Sequence, residues 1–365
     1  MTLHLYFARR FLWHFLLVLA VFAGLLALLD LIDQVRRFAD DGVSFPEIVQ
    51  LTLLKAPQGV YRILPLIMVI ATVSLFVNLA RTSELVVARA AGRSALRTLA
   101  APAVLTVLLG IFATAALNPI VAATAKEYEA RVEAIGDDGA STLSLSASGL
   151  WLRQGAQTGQ TVIRADRSNL DGTELLGVTF MSFTPEGTPT RRIEASRAAL
   201  SDGAWELSDA KSWPLTEGLN PEANALTFDT LRIPSTLTRD RIRDSFGAPF
   251  VIPIWDLPSF IDQLRDAGFS ARRHATWLQM ELAQPAFLLA MLLIGAGFTM
   301  RHARGGKTGQ MVLYAILLGF ALYFVRNFAQ ILGESGQMPI WLAAWAPPLG
   351  AMGLALGFLL HQEDG

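Results

Sequence analysis

The chain has 365 residues, of which 52 % are hydrophobic and 17 % charged, with a net charge of −1 and a mean hydropathy of +0.41. Soluble globular proteins run about 45–50 % apolar and about a quarter charged, so the excess argues against an ordinary soluble enzyme. The near-neutral balance argues against a large nucleic-acid footprint, and the absence of cysteine rules out disulfides, thiolate metal sites and cysteine nucleophiles.

A helix rises about 1.5 Å per residue, so about 20 apolar residues cross a hydrocarbon core of about 30 Å. Phe11–Leu29 passes that test with no charged residue. It is too long for a removable signal peptide, and no small-residue cleavage site follows it. Ile63–Ala80, Leu99–Leu117, Ala286–Met300, Met311–Val325 and Ile340–Leu360 complete six predicted spans, some with their polar flanks included. Prolines within or beside them (Pro65, Pro102, Pro285, Pro347, Pro348) are compatible with membrane helices, where neighbours can satisfy freed carbonyls. Arg9 and Arg10, then Arg81, Arg89, Arg93 and Arg97, then Arg301, Arg304 and Lys307 all fall on one side if the N-terminus is cytoplasmic. The C-terminus then lies in the cytoplasm as well. Arg36 and Arg37 fall on the opposite side, next to Asp30 and Asp33, and the spacing predicts an Asp33–Arg37 i,i+4 pair.

Between the second and third spans, RTSELVVARAAGRS at 81–94 reads as a short amphipathic helix over 82–94. Thr82 or Ser83 can cap it, Glu84 suits its positive end, and Gly92 stops it. Such a knob can dock a partner; the plainer alternative is a solvated loop whose arginines only set orientation. The polar insert 128–271 alternates apolar and polar residues at 149–154, 160–166, 175–183, 191–200, 204–210 and 225–233, with Gly, Pro, Asn and Asp between the runs. Short strands so spaced predict a sandwich or jelly roll rather than a βαβ sheet. Trp151, Leu152, Ile163, Val178, Phe180 and Ile193 are its expected interior, and a helix at 255–268 leads back to the bundle. The division is therefore 1–127, 128–271 and 272–365: a membrane α-helical bundle of six transmembrane helices with an inserted periplasmic all-β jelly-roll domain.

Catalytic and metal-binding constellations are not expected. GGKTG at 305–309 imitates a phosphate loop, but the position five before its Gly-Lys pair is Arg301 and a membrane helix precedes it, whereas a P-loop needs glycine there after a strand. Intramembrane charges usually face a bundle interior or wet cavity and pair, which predicts a Glu281–Arg326 pair beside Gln284 and Asn327.

YRILPLIMVIATVSLFVN followed by LARTSELVVARAAGRS resembles the signature of the lipopolysaccharide export permeases, the LptF/LptG family. IDQVRRF at 32–38, SGLWLRQG at 148–155 and LAQPAFLLAMLLIGAGF at 282–298 agree in order and spacing across nearly the whole chain, and the IDQVRR and GLW segments set it nearer the LptG branch. The resemblance implies a permease subunit beside an LptF-like second subunit, on an LptB-like ATPase dimer that binds ATP and Mg. The chain itself would carry no cofactor and would hand lipopolysaccharide to LptC/LptA-like bridge proteins from the bacterial inner membrane. It implies that 82–94 is the coupling helix, with Ser83, Glu84, Leu85 and Arg89 as ATPase-coupling residues. It also implies that Arg36 and Arg37 receive lipid phosphates, for which an arginine fork is suited. Asp30 departs from a basic position of the family, and Arg62 and Arg326 are placed as supplementary lipid-binding cations. Trp151, Leu152, Ile163 and Phe180 would line a β-domain that could hold acyl chains. The rival readings are a non-transporting scaffold whose β-domain docks partners, and an ion-coupled transporter, which would need ionisable groups or broken helices near the midplane.

Overall fold

The computed structural model describes residues 2–39, 42–90, 94–135, 143–146, 149–156, 159–169, 172–184, 187–201, 203–215, 220–235, 237–238, 242, 248–300 and 308–364. Gly92, Arg93, Asp171, Arg301, Arg304, Lys307 and the start of GGKTG lie outside these residues, as does the side chain of Arg89. The chain forms two compact units: one of 1–131, 250–255 and 272–365, the other of 132–249 and 256–271.

In the helical unit, α1 (Thr2–Arg37) runs against α2 (Phe45–Arg81), α3 (Glu84–Ala90) is a short connector, and α4 (Ala95–Phe112) passes through a π-turn into α5 (Asn118–Ile135). After the insert come α7 (Arg272–Leu282), α8 (Gln284–Thr299), α9 (Thr308–Ser335) and α10 (Ile340–Asp364). Five helices are long and apolar enough to cross a membrane, and six spans result if the bent pair α7–α8 is one of them. Within hydrocarbon the backbone must satisfy itself, which is why these apolar runs are helical regardless of their β-branched content. Polar side chains mark the ends: Glu47 accepts from the Ser44 N–H at 2.9 Å and from its Oγ at 2.8 Å, and Ser94 Oγ accepts from the Arg97 N–H.

α8 is the centre of the bundle. Leu288, Ala290, Met291 and Leu292 are fully enclosed, and they pack with Ile67, Met68, Ala71 and Leu75 of α2 in one core. Glycine allows the close approaches: a Cβ on Gly110 would stand 2.5 Å from Pro285 Cα, so α4 crosses the start of α8 at backbone distance. α1 and α9 lie at the other extreme. Only 11 % of the apolar window of each is buried, against 67 % for α2, leaving Trp13, Leu17, Val21 and Leu25 and then Leu317, Phe324 and Phe328 facing outward.

The α7–α8 break has a specific cause. Pro285 has no N–H for the carbonyl four residues back, which is that of Glu281, and the two helices meet at 51°. Thr114 Oγ1 donates to that carbonyl instead, at 3.1 Å.

The second unit is an antiparallel sheet of seven strands, β1 (Leu143–Ser146), β2 (Gly149–Ala156), β3 (Gly159–Ser168), β4 (Glu174–Phe183), β5 (Pro189–Ser201), β6 (Ala204–Pro214) and β7 (Leu226–Pro234). The six expected strands appear as β2 to β7. Their order is a refinement of the jelly-roll expectation: each described strand pairs with the next in the chain, without crossover, because short connections join consecutive strands into a meander. Leu152, Ile163, Phe180 and Ile193 occupy adjacent register positions and are all at most 1 % exposed.

The alternation slips once, along one line. Inward positions run Ile163, Ala165 then Ser168 in β3; Leu175 then Val178 and Phe180 in β4; Ile193 and Ala195 then Ala198 in β5; and Trp205 and Leu207 then Ala210 in β6. The row of slippage passes through Asp166, Gly177, Ser196 and Asp209, where Gly177 has φ +62° and Asp209 φ +52°. The sheet is creased there. Helix α6 (Leu257–Asp266) buries Leu257, Ile261 and Leu264, and Gly268 follows at φ +90° with Ser168 O against it, a place no side chain could occupy.

Candidate functional site: the α3 clasp, the Arg36–Arg37 end of α1 and the Glu281 node

The first polar cluster lies where α2 turns into α3. Ser83 reverses the chain with φ +59°, and its carbonyl accepts from the N–H groups of Val86 and Val87. Glu84 follows, and its carboxylate turns back toward α1. Oε1 accepts from Arg10 Nη2 at 2.9 Å and from Thr82 Oγ1 at 2.9 Å, and Oε2 from the Tyr6 hydroxyl at 2.6 Å. Arg10 also donates through Nη1 to Asn78 Oδ1 at 2.9 Å and through Nε to the Tyr6 hydroxyl at 3.0 Å. One guanidinium thus braces three helices. Leu85 corrects an expectation: it is 2 % exposed and belongs to the same core as Phe7, Phe11 and Leu79. The helix turns Leu85 inward, and Val86 and Val87 form its open face instead.

The second cluster is at the other end of α1. The expected Asp33–Arg37 pair is replaced, because Lys55 of α2 reaches across to Asp30 at 3.1 Å and Asp33 at 3.7 Å. Both carboxylates of the turn are matched from the neighbouring helix, and no ion pair ties either arginine to its own helix among the described residues. Arg36 and Arg37 are exposed. Arg37 lies over the Phe38 ring and donates to the Tyr128 hydroxyl at 3.4 Å, which also takes a 2.8 Å bond from the fully buried Gln34. Arg62 is exposed on α2. Arg326 is turned inward, donating to Gln284 Oε1 at 3.2 Å and lying over the Phe287 ring. The structure therefore joins Arg36 and Arg37 on one helix end and places Arg326 in a separate cluster.

The third cluster corrects the expected Glu281–Arg326 pair. Glu281 is 1 % exposed, and its carboxyl is held by the Tyr61 hydroxyl and by Asn118 Nδ2 at 3.3 Å. Asn118 Oδ1 in turn accepts from the Ile254 N–H at 2.9 Å, and Trp255 Nε1 donates to Ala115 O inside the π-turn at 3.1 Å. A tyrosine and an asparagine hold the carboxyl, and Arg326 bonds the glutamine one turn on, close enough to act on Glu281 electrostatically but without an ion-pair contact.

In the β-unit, Leu152, Ile163 and Phe180 are interior as expected, whereas Trp151 is half-buried on the opposite face, opposite and under Arg164. Period-two alternation puts neighbours 151 and 152 on different faces, and only one can be inside. Trp205, fully buried and edge-on to Phe180 at 6.3 Å, is the large interior aromatic. No group of three or more His, Asp or Glu side chains fit to hold a metal ion occurs among the described residues.

Tyr6, Lys55, Tyr61 and Asn118 were not marked by sequence. Asn118–Pro119 interrupting an apolar run was the available signal for one of them. The other three needed a partner from a different helix before they acquired meaning.

The family model for the lipopolysaccharide export system permease LptF/LptG matches residues 5–361. The lipopolysaccharide export system permease protein LptG of Escherichia coli (strain K12) is 24 % identical over 352 residues, covering 94 % of this chain and 92 % of that protein. The LptG protein of Haemophilus influenzae is 23 % identical over 380 residues, covering 100 % of this chain and 99 % of its own. With several spans, an inserted β-unit and a match over almost its entire length, the chain belongs to the LptF/LptG family of lipopolysaccharide export permeases and is a multi-pass inner-membrane protein.

Proposed function

We propose that this chain is the LptG-like half of an ATP-driven lipopolysaccharide extractor, with its termini and α3 in the cytoplasm and its β-unit in the periplasm. Hydrolysis takes place in an LptB-like ATPase dimer that binds ATP and Mg. An LptF-like permease completes the membrane chamber, and LptC/LptA-like proteins receive the lipid. The chain contributes binding and mechanical transmission rather than bond chemistry.

The observation that carries this reading is the shape of α3: a two-turn helix between two spans, presenting Val86 and Val87 outward while Glu84 grips α1. That apolar face is left uncovered among the described residues and suits a groove on a partner. Ser83 and Arg89 belong to the same docking segment. At the far end of α1, Lys55 matches Asp30 and Asp33 and so leaves Arg36 and Arg37 to meet an anionic headgroup. It also supplies, from α2, a cation beside the position where Asp30 departs from the family's basic residue. Charge-assisted contacts of this kind are worth about 1.5–3 kcal/mol each, so loss of either arginine should weaken lipid capture about tenfold or more.

Val87→Asp in the co-purified complex should strip away the ATPase while the second permease stays bound. Photo-crosslinkers at positions 36 and 37 should label lipopolysaccharide. Retention of the ATPase by Val87→Asp together with absence of lipid labelling would leave a membrane scaffold as the better description.

A further inference from the structure

Glu84 was expected on the docking face, yet its carboxylate is spent inside the chain. Three donors on α1 and the α2–α3 turn occupy it: Arg10 Nη2, Thr82 Oγ1 and the Tyr6 hydroxyl, at 2.9, 2.9 and 2.6 Å. The charge is matched by Arg10, and the side chains are 34 % and 27 % exposed. Beneath the polar bonds, Leu85 is enclosed in the same core as Phe7 and Phe11. A displacement of α3 therefore cannot leave the first turns of α1 behind without breaking two hydrogen bonds, those from Arg10 and Tyr6, and an apolar contact.

α1 is also the helix best built to carry that displacement. It runs Thr2–Arg37 as one unbroken element without proline, a rod of about 54 Å at about 1.5 Å per residue. Its neighbours are interrupted: α2 contains Pro57 and Pro65, and α4 contains Pro102 and ends in a π-turn, while α7–α8 at the centre of the bundle bends by 51°. Kinks concentrate at proline and at π-bulges, where a helix yields instead of transmitting. α1 is at the same time turned outward over most of its length, with 11 % of its apolar window buried, and it is held chiefly along α2. Its far end carries Arg36 and Arg37.

We infer that Tyr6, Arg10 and Glu84 form a clasp that makes α1 a push-rod, transferring motion of α3 to the Arg36–Arg37 end where lipid is held; these three are positioning residues, not docking contacts. The inference rests on the function proposed above.

The test uses the complete complex, purified with its second permease and ATPase, in proteoliposomes loaded with lipopolysaccharide, and reads lipid released per ATP hydrolysed. Arg10→Gln and the near-isosteric Tyr6→Phe should each retain the ATPase in the complex and continue to hydrolyse ATP, while lipid released per ATP falls at least fivefold. The exchange Arg10→Glu with Glu84→Arg should recover a substantial part of that ratio. A merely structural brace would lower hydrolysis and transport together and leave the ratio unchanged, and that result, like an unchanged ratio at full activity, would overturn the clasp. Loss of the ATPase from Arg10→Gln and Tyr6→Phe would show that the cluster shapes the docking face instead. Failure of the unaltered chain to bind any ATPase would remove the proposed function itself, and the push-rod with it.

Discussion

Glu281 shows how a single buried side chain can be assigned by its neighbours. A carboxyl removed from water must find partners or incur a heavy desolvation cost, and this one finds a tyrosine hydroxyl from α2 and an asparagine amide from α5. Tyr61→Phe leaves the ring in place and removes one donor, so about 1–3 kcal/mol of stability should be lost. The measurement is the midpoint of thermal unfolding in detergent, with Arg326→Gln as the comparison. A larger loss from Arg326→Gln than from Tyr61→Phe would restore the ion pair that sequence spacing favoured. The same lesson holds for Asp33, whose i,i+4 arginine was the obvious mate until Lys55 arrived from another helix.

At the scale of elements, the helices were legible because hydropathy and backbone satisfaction act on each segment alone. Their exact approach was not. Gly110 reads as one more small residue in an apolar run, but Pro285 Cα stands where its Cβ would go. Gly110→Ala should therefore cost about 1–3 kcal/mol through overpacking, whereas Gly24→Ala, with open space around it, should stay within about 0.5 kcal/mol. Equal unfolding midpoints for the two variants would contradict the close crossing. The strands were likewise visible from alternation, and six of seven were located by it. The crease was invisible, since alternation can reveal which residues share a face only until the face turns. Gly177→Ala places a Cβ at φ +62° and 2.4 Å from Asp166 Oδ2. Adding Asp166→Ala should relieve the collision but leave the roughly 1 kcal/mol cost of the left-handed backbone; full recovery of the unfolding midpoint would argue against strain at that position.

At the scale of the whole molecule, the proposed orientation in the membrane is directly measurable. Because the chain has no cysteine, single introduced thiols report without background. Val87→Cys and Arg191→Cys are both at exposed positions, one on α3 and one on β5. In intact spheroplasts a membrane-impermeant maleimide should label position 191 and spare position 87 until the cells are lysed. The reverse pattern would invert the proposed topology and place the ATPase-docking helix on the wrong side.

From the amino-acid order by itself followed the spans, the inserted β-unit, the short helix between the second and third spans and the family resemblance, each of which depends on local periodicity, composition or contiguous motif. Only the tertiary structure decided which polar groups belong to one another: Glu84 with Arg10 and Tyr6, Lys55 with Asp30 and Asp33, Glu281 with Tyr61 and Asn118. The reason is physical. Burial of apolar surface is non-directional and is set residue by residue, whereas hydrogen bonds and ion pairs need a partner at about 3 Å, and the partners here lie between 22 and 220 positions away along the chain.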